Sequence, residues 1–325
     1  MRTGTKLLAL LAVAALGVFC ASSIAGDFPS GKVTFYIGNA PGGGNDLLAR
    51  ALIPGMSKSI GADIIPENLQ GANGGVAAVK VANSKPDGHS LYLHSQSVVM
   101  MQYTGQPQVD VLKLAPVAVV AEDFGALCVA ADSPINSISD LVEAAKKNPG
   151  KVKIGSASAG VWPINVALFE EKAGVKIKFI PYDSGGAAAG TAAAAGEIEV
   201  CLDSPIVYRS LVESGKLKMI GVFGESRSSI FPDVPTVREQ GVDVFFPVWR
   251  AVFTTAGTPD DVMQKLSDAV KAAMDGPEFK KYTETSGLPV RFRDYKESGP
   301  FVKEEDTFYR EMLNKLGLKI SEPKR

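Results

Sequence analysis

Histidine and cysteine are nearly missing from this chain: it has two of the first and three of the second in 325 residues. No Cys/His/Asp cluster has metal-ligand spacing, so no metal centre is expected. The closest approach to a nucleophile elbow is Ser156-Ala157-Ser158-Ala159-Gly160, which lacks the first glycine of G-x-S-x-G. Only His89 and His94 are available as its base, so a secreted hydrolase fits poorly. Basic excess is lacking too, and a net charge of -1 gives no reason to expect nucleic acid. Beyond residue 25 no run approaches the ~18 to 20 uninterrupted apolar residues of a membrane-spanning helix.

What is present begins with a processable leader. Arg2 and Lys6 precede the apolar run Leu7 to Phe19, and Ser23-Ile24-Ala25 supplies small residues for cleavage near Ala25. Residues 1–25 are expected to be a signal peptide, with the mature chain released into the periplasm. A lipid anchor on Cys20 is the less favoured reading, because Phe19 stands where a small residue is wanted. Losing Arg2 and Lys6 takes the net charge from -1 to -3. Cys128 and Cys201 then remain, each inside an apolar strand-like run, either as buried free thiols or as a pair.

With 46% hydrophobic residues, the chain has enough apolar surface for one large or two medium domains. Strand-like runs lie near 33–38, 63–66, 90–94, 117–121, 126–130, 152–156, 177–181, 198–202, 218–223 and 249–254. Helical patterns fall between several of them, at 46–60, 74–83, 139–147, 163–173, 186–195 and 205–214. Such alternation indicates an α/β protein with parallel sheets covered by helices, and this many strands favours two sheets. Two more helices are expected, from Pro259 to Met274 and from Asp294 to Leu316. Pro86-Asp87-Gly88 reads as a tight turn, and Ser137 or Ser139 as the cap of the 139–147 helix. Pro54-Gly55 should kink or end the first helix.

The stretch NAPGGGNDLLAR, residues 39–50, puts glycines between a strand and a helix. It fits neither the dinucleotide fingerprint nor a P-loop, since Gly44 and Asn45 occupy the lysine and hydroxyl positions. No cofactor is expected. Two readings remain: backbone N–H groups at a helix start that suit a small anion such as a carboxylate, or a plain strand-to-helix turn with Asn45 or Asp46 capping. Loops 155–160 and 182–186 repeat the arrangement after other strands. Small-residue loops at the carboxyl ends of parallel strands describe a cleft.

These residues resemble the extracytoplasmic solute receptors of tripartite tricarboxylate transporters, the Bug receptors. The matching pieces run in order: Pro41-Gly42-Gly43-Gly44-Asn45-Asp46 with Ala49-Arg50, Glu67-Asn68 with Gly71-Ala72-Asn73-Gly74-Gly75, Lys85-Pro86-Asp87-Gly88, Gly155-Ser156, Pro181-Tyr182, Phe231-Pro232-Asp233-Val234-Pro235-Thr236, and Trp249 with Ala256-Gly257-Thr258-Pro259. The resemblance implies a two-lobed, Venus-flytrap fold of the type II periplasmic binding protein kind with two crossings. Residues 26–121 and 247–325 would form one lobe and 122–246 the other. It further implies a non-enzymatic receptor that delivers a small carboxylate to integral membrane permease subunits; a monomer is the default expectation. Presentation of the same ligand to a membrane sensor kinase is the alternative.

Carried onto this sequence, the resemblance gives the carboxylate to Ser156, Ala157, Ser158, Ala159 and Gly160 and to Tyr182, Ser184, Gly185 and Gly186. Ala40, Pro41, Gly42, Gly43 and Asp46 would close over the other end, with Asp46 capping or holding water rather than touching the anion. The pattern departs where a hydroxyl residue and a histidine are usual: Val161 and Ile164 stand there, around Trp162. An aromatic or partly apolar carboxylate then becomes more plausible, unless Trp162 packs on the helix behind the loop. Arg250 either pairs with a ligand carboxylate or snorkels from a strand end. Asp203 either accepts from the ligand or caps the helix after Pro205. His94-Ser95-Gln96, and Ser95 above all, are candidates for the first lobe's wall.

Overall fold

The computed structural model describes residues 28–39, 41–103, 110–157, 160–182, 185–315 and 317. The expected leader and Cys20 lie outside them. The strands form two sheets. The first contains β1 (Val33–Ile37), β2 (Ile64–Asn68), β3 (Ser90–Ser95), β4 (Leu114–Phe124), β10 (Pro247–Thr255) and β11 (Val290–Arg293), in the order β11-β4-β10-β3-β1-β2. The second contains β5 (Ala126–Ala130), β6 (Lys153–Ala157), β7 (Lys178–Tyr182), β8 (Val200–Asp203) and β9 (Leu217–Val222), in the order β7-β6-β8-β5-β9.

Helices cover both faces of each sheet, so the central strands are buried nearly throughout rather than alternating, while the edge strands β2, β7 and β11 keep exposed positions. In β1, Phe35 and Ile37 pack with Leu48, Leu52 and Met56 of α1 (Gly44–Ile60) and with Leu266 and Val270 of α8 (Asp260–Met274), while Tyr36 enters the core on the other side. β3 repeats this, with Leu91 and Leu93 on one face and Tyr92 on the other, as the two-residue period of a strand requires. In the second sheet α4 (Ile138–Lys147) and α5 (Trp162–Ala173) cover one face. Opposite them lie α6 (Gly186–Ala194) and α7 (Pro205–Glu213), over Cys128 and Cys201.

The chain passes between sheets twice. β4 runs straight into β5 with only Gly125 between them. The return, from β9 to β10, lies alongside: Phe223 N–H donates to Gly125 O at 2.8 Å, and Pro247 stands opposite Phe124. Because of these passages neither sheet is purely parallel, which corrects the expectation from alternation. β10 is antiparallel to β3 and β4, β11 to β4, and β5 to β8 and β9.

Other expectations also need revision. α1 does not end at Pro54, because Leu48, Leu52 and Met56 bury one apolar stripe on both sides of it. Ser137 is the cap of α4, its hydroxyl accepting from Asp140 N–H at 3.1 Å. β11, the five-residue α3 (Ser97–Met101) and α9 (Pro277–Ser286) were not expected. α2 (Gly75–Ala82) and α10 (Tyr295–Lys315) complete the helices. Among the described residues no helix is long and apolar enough to cross a membrane.

α1 and α8 cross at very close range. A Cβ on Gly55 would stand 2.5 Å from Ala273 Cα and 2.8 Å from its Cβ. Gly→Ala inside a helix ordinarily stabilises by ~0.5 to 1 kcal/mol, but here backbone must move. Gly55→Ala is expected to destabilise by about 1 to 3 kcal/mol, read as a lower urea midpoint. A midpoint at or above wild type would show that α1 and α8 are not in this contact.

Candidate functional site

β1 delivers the chain to the glycine loop at the sheet's edge. Gly42 turns it at φ +80°, and Gly43 is the N-cap of α1, with no side chain capping that end. Asp46 faces inward, accepting from Gly42 N–H at 2.8 Å, Arg50 Nε at 3.0 Å and Asn68 Nδ2 at 2.9 Å. Burial would raise its pKa, but the Arg50, Gly42 and Asn68 hydrogen bonds outweigh this and hold the carboxyl below its ordinary value. Asn68 Nδ2 also donates to Asn39 O, and Asn45 Nδ2 donates to Asn39 Oδ1. Asp46 therefore holds the loop in shape and is not placed to meet a ligand. Pro41 and Gly42 are exposed at the tip, while Gly43, Gly44 and Asn45 line a cavity with their first-turn N–H groups.

On the second sheet the expected residues divide. Gly160, at φ +92°, Val161 as N-cap of α5, and Trp162 form the facing wall, and α5 too begins without a side-chain cap. Trp162 lies on the wall and also behind the loop, its ring close to Gly125. Ser156 differs from expectation: its fully buried hydroxyl donates to the Leu202 carbonyl of β8 and braces two strands. Ala157 stands beside Tyr182 in the β6–β7 register, and neither lines the cavity. The Tyr182 ring packs over Gly155, where a Cβ would lie 2.8 Å from Cε2. Ala40, Ser158, Ala159 and Ser184 lie outside the described residues.

The third loop is already occupied by a carboxylate of the chain. A Cβ on Gly186 would overlap Asp203 Oδ2, and the Gly186 N–H bonds to that carboxylate. Asp203 thus sits on the start of α6, not on the helix after Pro205. Gly185, at φ +92°, and Gly186 shape that seat and do not line the cleft. Asp203 also accepts from Ser204 N–H at 2.7 Å. Burial pushes its carboxyl up to about 7, against the pull of the Ser204 bond and with the help of nearby Asp123.

Arg250 stands between the sheets. Its two terminal nitrogens lie 3.4 Å from Asp123 Oδ2, which also accepts from the Ser204 hydroxyl at 2.7 Å. The Ser204–Asp123 bond joins the start of α7 in one sheet's layer to the end of β4 in the other. Two cavities meet at this cluster, of about 260 and about 230 Å3, and they share Gly44, Asp203, Ser204 and Arg250. The first is walled by Ser95, Ser97, Gly160, Val161 and Trp162. The second sets the apolar Phe124, Ile206, Val207, Ile230 and Leu288, with Tyr282 beside them, against the charged Asp123, Asp203 and Arg250.

The structure thus gathers Gly43, Ser95, Gly160, Val161, Trp162, Asp203 and Arg250 around one cleft. Asp123 and Tyr282 went unrecognised. Asp123 and Tyr282 carry no local signal, for only the crossing and α9 bring them here. His94 and Gln96 are buried away from the cavity, and Gln96 donates to the Pro247 carbonyl.

Residues 48–318 match the tripartite tricarboxylate transporter family receptor. The UPF0065 protein in the gbd 5' region of Cupriavidus necator is 32% identical over 312 residues, which cover 94% of each chain. A solved TctC solute binding protein from Polaromonas, without ligand, superimposes with a TM-score of 0.78 at 27% identity, covering 89% of this chain and 99% of that one. MatC from Rhodopseudomonas palustris, solved with bound malate, gives a TM-score of 0.70 at 26% identity, covering 88% and 100%.

The raised pKa of Asp203 has a thermodynamic consequence. Between its ordinary value of 3.8 and about 7 the folded chain keeps a proton that the unfolded chain releases, so this residue makes stability fall as pH rises across that window. Asp203→Asn should flatten the decline between pH 5 and pH 7.5 in urea unfolding. Equal pH slopes for the two proteins would show that Asp203 is ionised throughout.

Proposed function

Because the chain belongs to the tripartite tricarboxylate transporter receptor family, we propose that it captures a small, partly apolar carboxylate between its lobes and hands it to membrane permease subunits from the periplasm. The observation that carries this reading is the convergence of Arg250 with the starts of α1, α5 and α7 on one cleft, none of the three capped by a side chain. The first turn of α1 keeps its N–H donors. Pro163 and Pro205 remove donors from α5 and α7, and Val207 N–H bonds to Ser204 O, so those two contribute mainly the positive end of a dipole, worth ~0.3 to 1 kcal/mol toward an anion.

Among the described residues Arg250 supplies the one full positive charge on the cavity walls. It is paired with Asp123 through long contacts of 3.4 Å, which an incoming carboxylate would compete for. Protonated Asp203 adds no repulsion below about pH 7 and can donate. The apolar residues of the second cavity and the Val161–Trp162 wall of the first offer a place for an aromatic or aliphatic body. Malate in MatC shows a carboxylate bound in a relative with this fold.

Capture proceeds by closure. A ligand held by α5 and α7 from one lobe is completed by α1 and Arg250 from the other, and the open–closed balance shifts by the difference in its affinity for the two states. The loaded form is what the permease receives.

Calorimetric titration with benzoate and hexanoate tests this. Arg250→Gln should weaken the better binder by about tenfold or more, the value of one charge-assisted hydrogen bond. A Cβ on Gly44 would meet nothing within 4 Å in the protein. Gly44→Val should therefore lower affinity with little loss of stability. Unchanged affinity in both variants would place the ligand elsewhere.

A further inference from the structure

β5 and β8 are antiparallel neighbours, and their register sets Cys128 directly opposite Cys201. Both side chains are fully buried and on the same face, sharing a cluster with Ala189, Ala192 and Ala193 of α6. The Cys201 thiol donates to the Cys128 carbonyl at 3.5 Å, and both cysteines are free. Residues opposed in this way have Cα atoms ~4.5 to 5.5 Å apart, within the ~4.4 to 6.8 Å that a disulfide spans. Ile198, Tyr208 and Leu217 complete the buried cover around the two sulfurs.

We propose that Cys128 and Cys201 are a dithiol that closes to an intrachain cross-strand disulfide, with a glutathione-type disulfide or a disulfide-donating oxidoreductase as the oxidant. The thiolate of one cysteine attacks a sulfur of the oxidant, expelling the first thiolate of that reagent. The second cysteine's thiolate then attacks the mixed disulfide and expels the other half. Two protons and two electrons leave the pair, and one disulfide of the oxidant becomes two thiols. Burial pushes the Cys128 thiol up, so closure is slow in the intact fold and takes place when the strands are exposed, during folding or local opening.

The bond would staple the strand that leaves Gly125 to the strand that ends in Asp203 and Ser204. It constrains the unfolded chain between residues 128 and 201, and so acts mainly on stability. It does not depend on what the cleft binds.

The test is peptide mapping without reduction. The full chain is incubated folded, and in parallel refolded from urea, in oxidised and reduced glutathione at several ratios, then acid-quenched, denatured, alkylated and digested. Expected is a linked pair of peptides containing Cys128 and Cys201, with a thermal midpoint about 5 °C or more above the reduced chain. Cys128→Ser should leave Cys201, and Cys201→Ser should leave Cys128, as an alkylated thiol or a glutathione adduct, with no midpoint shift on oxidation. Cys128 and Cys201 each alkylated or separately glutathionylated in wild type, from both arms at every ratio, would overturn the proposal. So would a link that joins either cysteine to Cys20 instead.

Discussion

The cleft depends on a place where two segments pass side by side and only glycine fits. A Cβ at Gly125 would stand 2.8 Å from Leu202 Cδ1, 3.0 Å from Trp162 Cζ3 and 3.1 Å from Asn165 Nδ2. With no side chain there, β4 enters the second sheet as β5 and the returning Phe223 bonds to the Gly125 carbonyl. Phe124, Phe223 and Phe246 make one core cluster that runs through the passage into both layers. Asp123 lies just before this point and Val248 and Arg250 just after the return, so the crossing itself puts charge at the floor of the cleft.

Topology also explains the electrostatics. α1, α5, α6 and α7 each follow a strand at the same edge of its sheet, so their N-terminal ends collect there. The chain contributes acids to this edge as well, and it neutralises them locally. Asp46 is surrounded by three donors within its own loop, and Asp203 covers the start of α6 while its carboxyl stays protonated up to about 7. The remaining attraction, from three helix starts and Arg250, is then directed at whatever enters between the lobes.

Much of the fold was legible in the sequence, and the failures have physical causes. β1, β3 and β5 are apolar runs bounded by turn residues, and period and punctuation agree there. β11 is Val-Arg-Phe-Arg at a sheet edge, where two charges mask a strand that is held by β4. Pro54 breaks a local rule that the burial of Leu52 and Met56 overrides. In the site, Gly160 to Trp162 follow a strand and Arg250 lies near the start of one, so both were within reach of a sequence reading. Ser156 could not be assigned its partner, since the Leu202 carbonyl is 46 residues away. The same holds for Asp203, whose seat on Gly186 is a contact between the end of β8 and the start of α6, brought together by the β7-β6-β8 order.

The most direct measurement is the thermal midpoint of the chain against matched pairs of carboxylic acids and their neutral amides, aromatic and aliphatic, at pH 6.5. A ligand at 100 times its Kd adds roughly 2.7 kcal/mol of stability, so a binder is plainly visible. An account built on helix starts and Arg250 predicts that at least one acid raises the midpoint while its amide, of the same shape and without the charge, does not. Equal shifts from acid and amide, or from no acid at all, would contradict it.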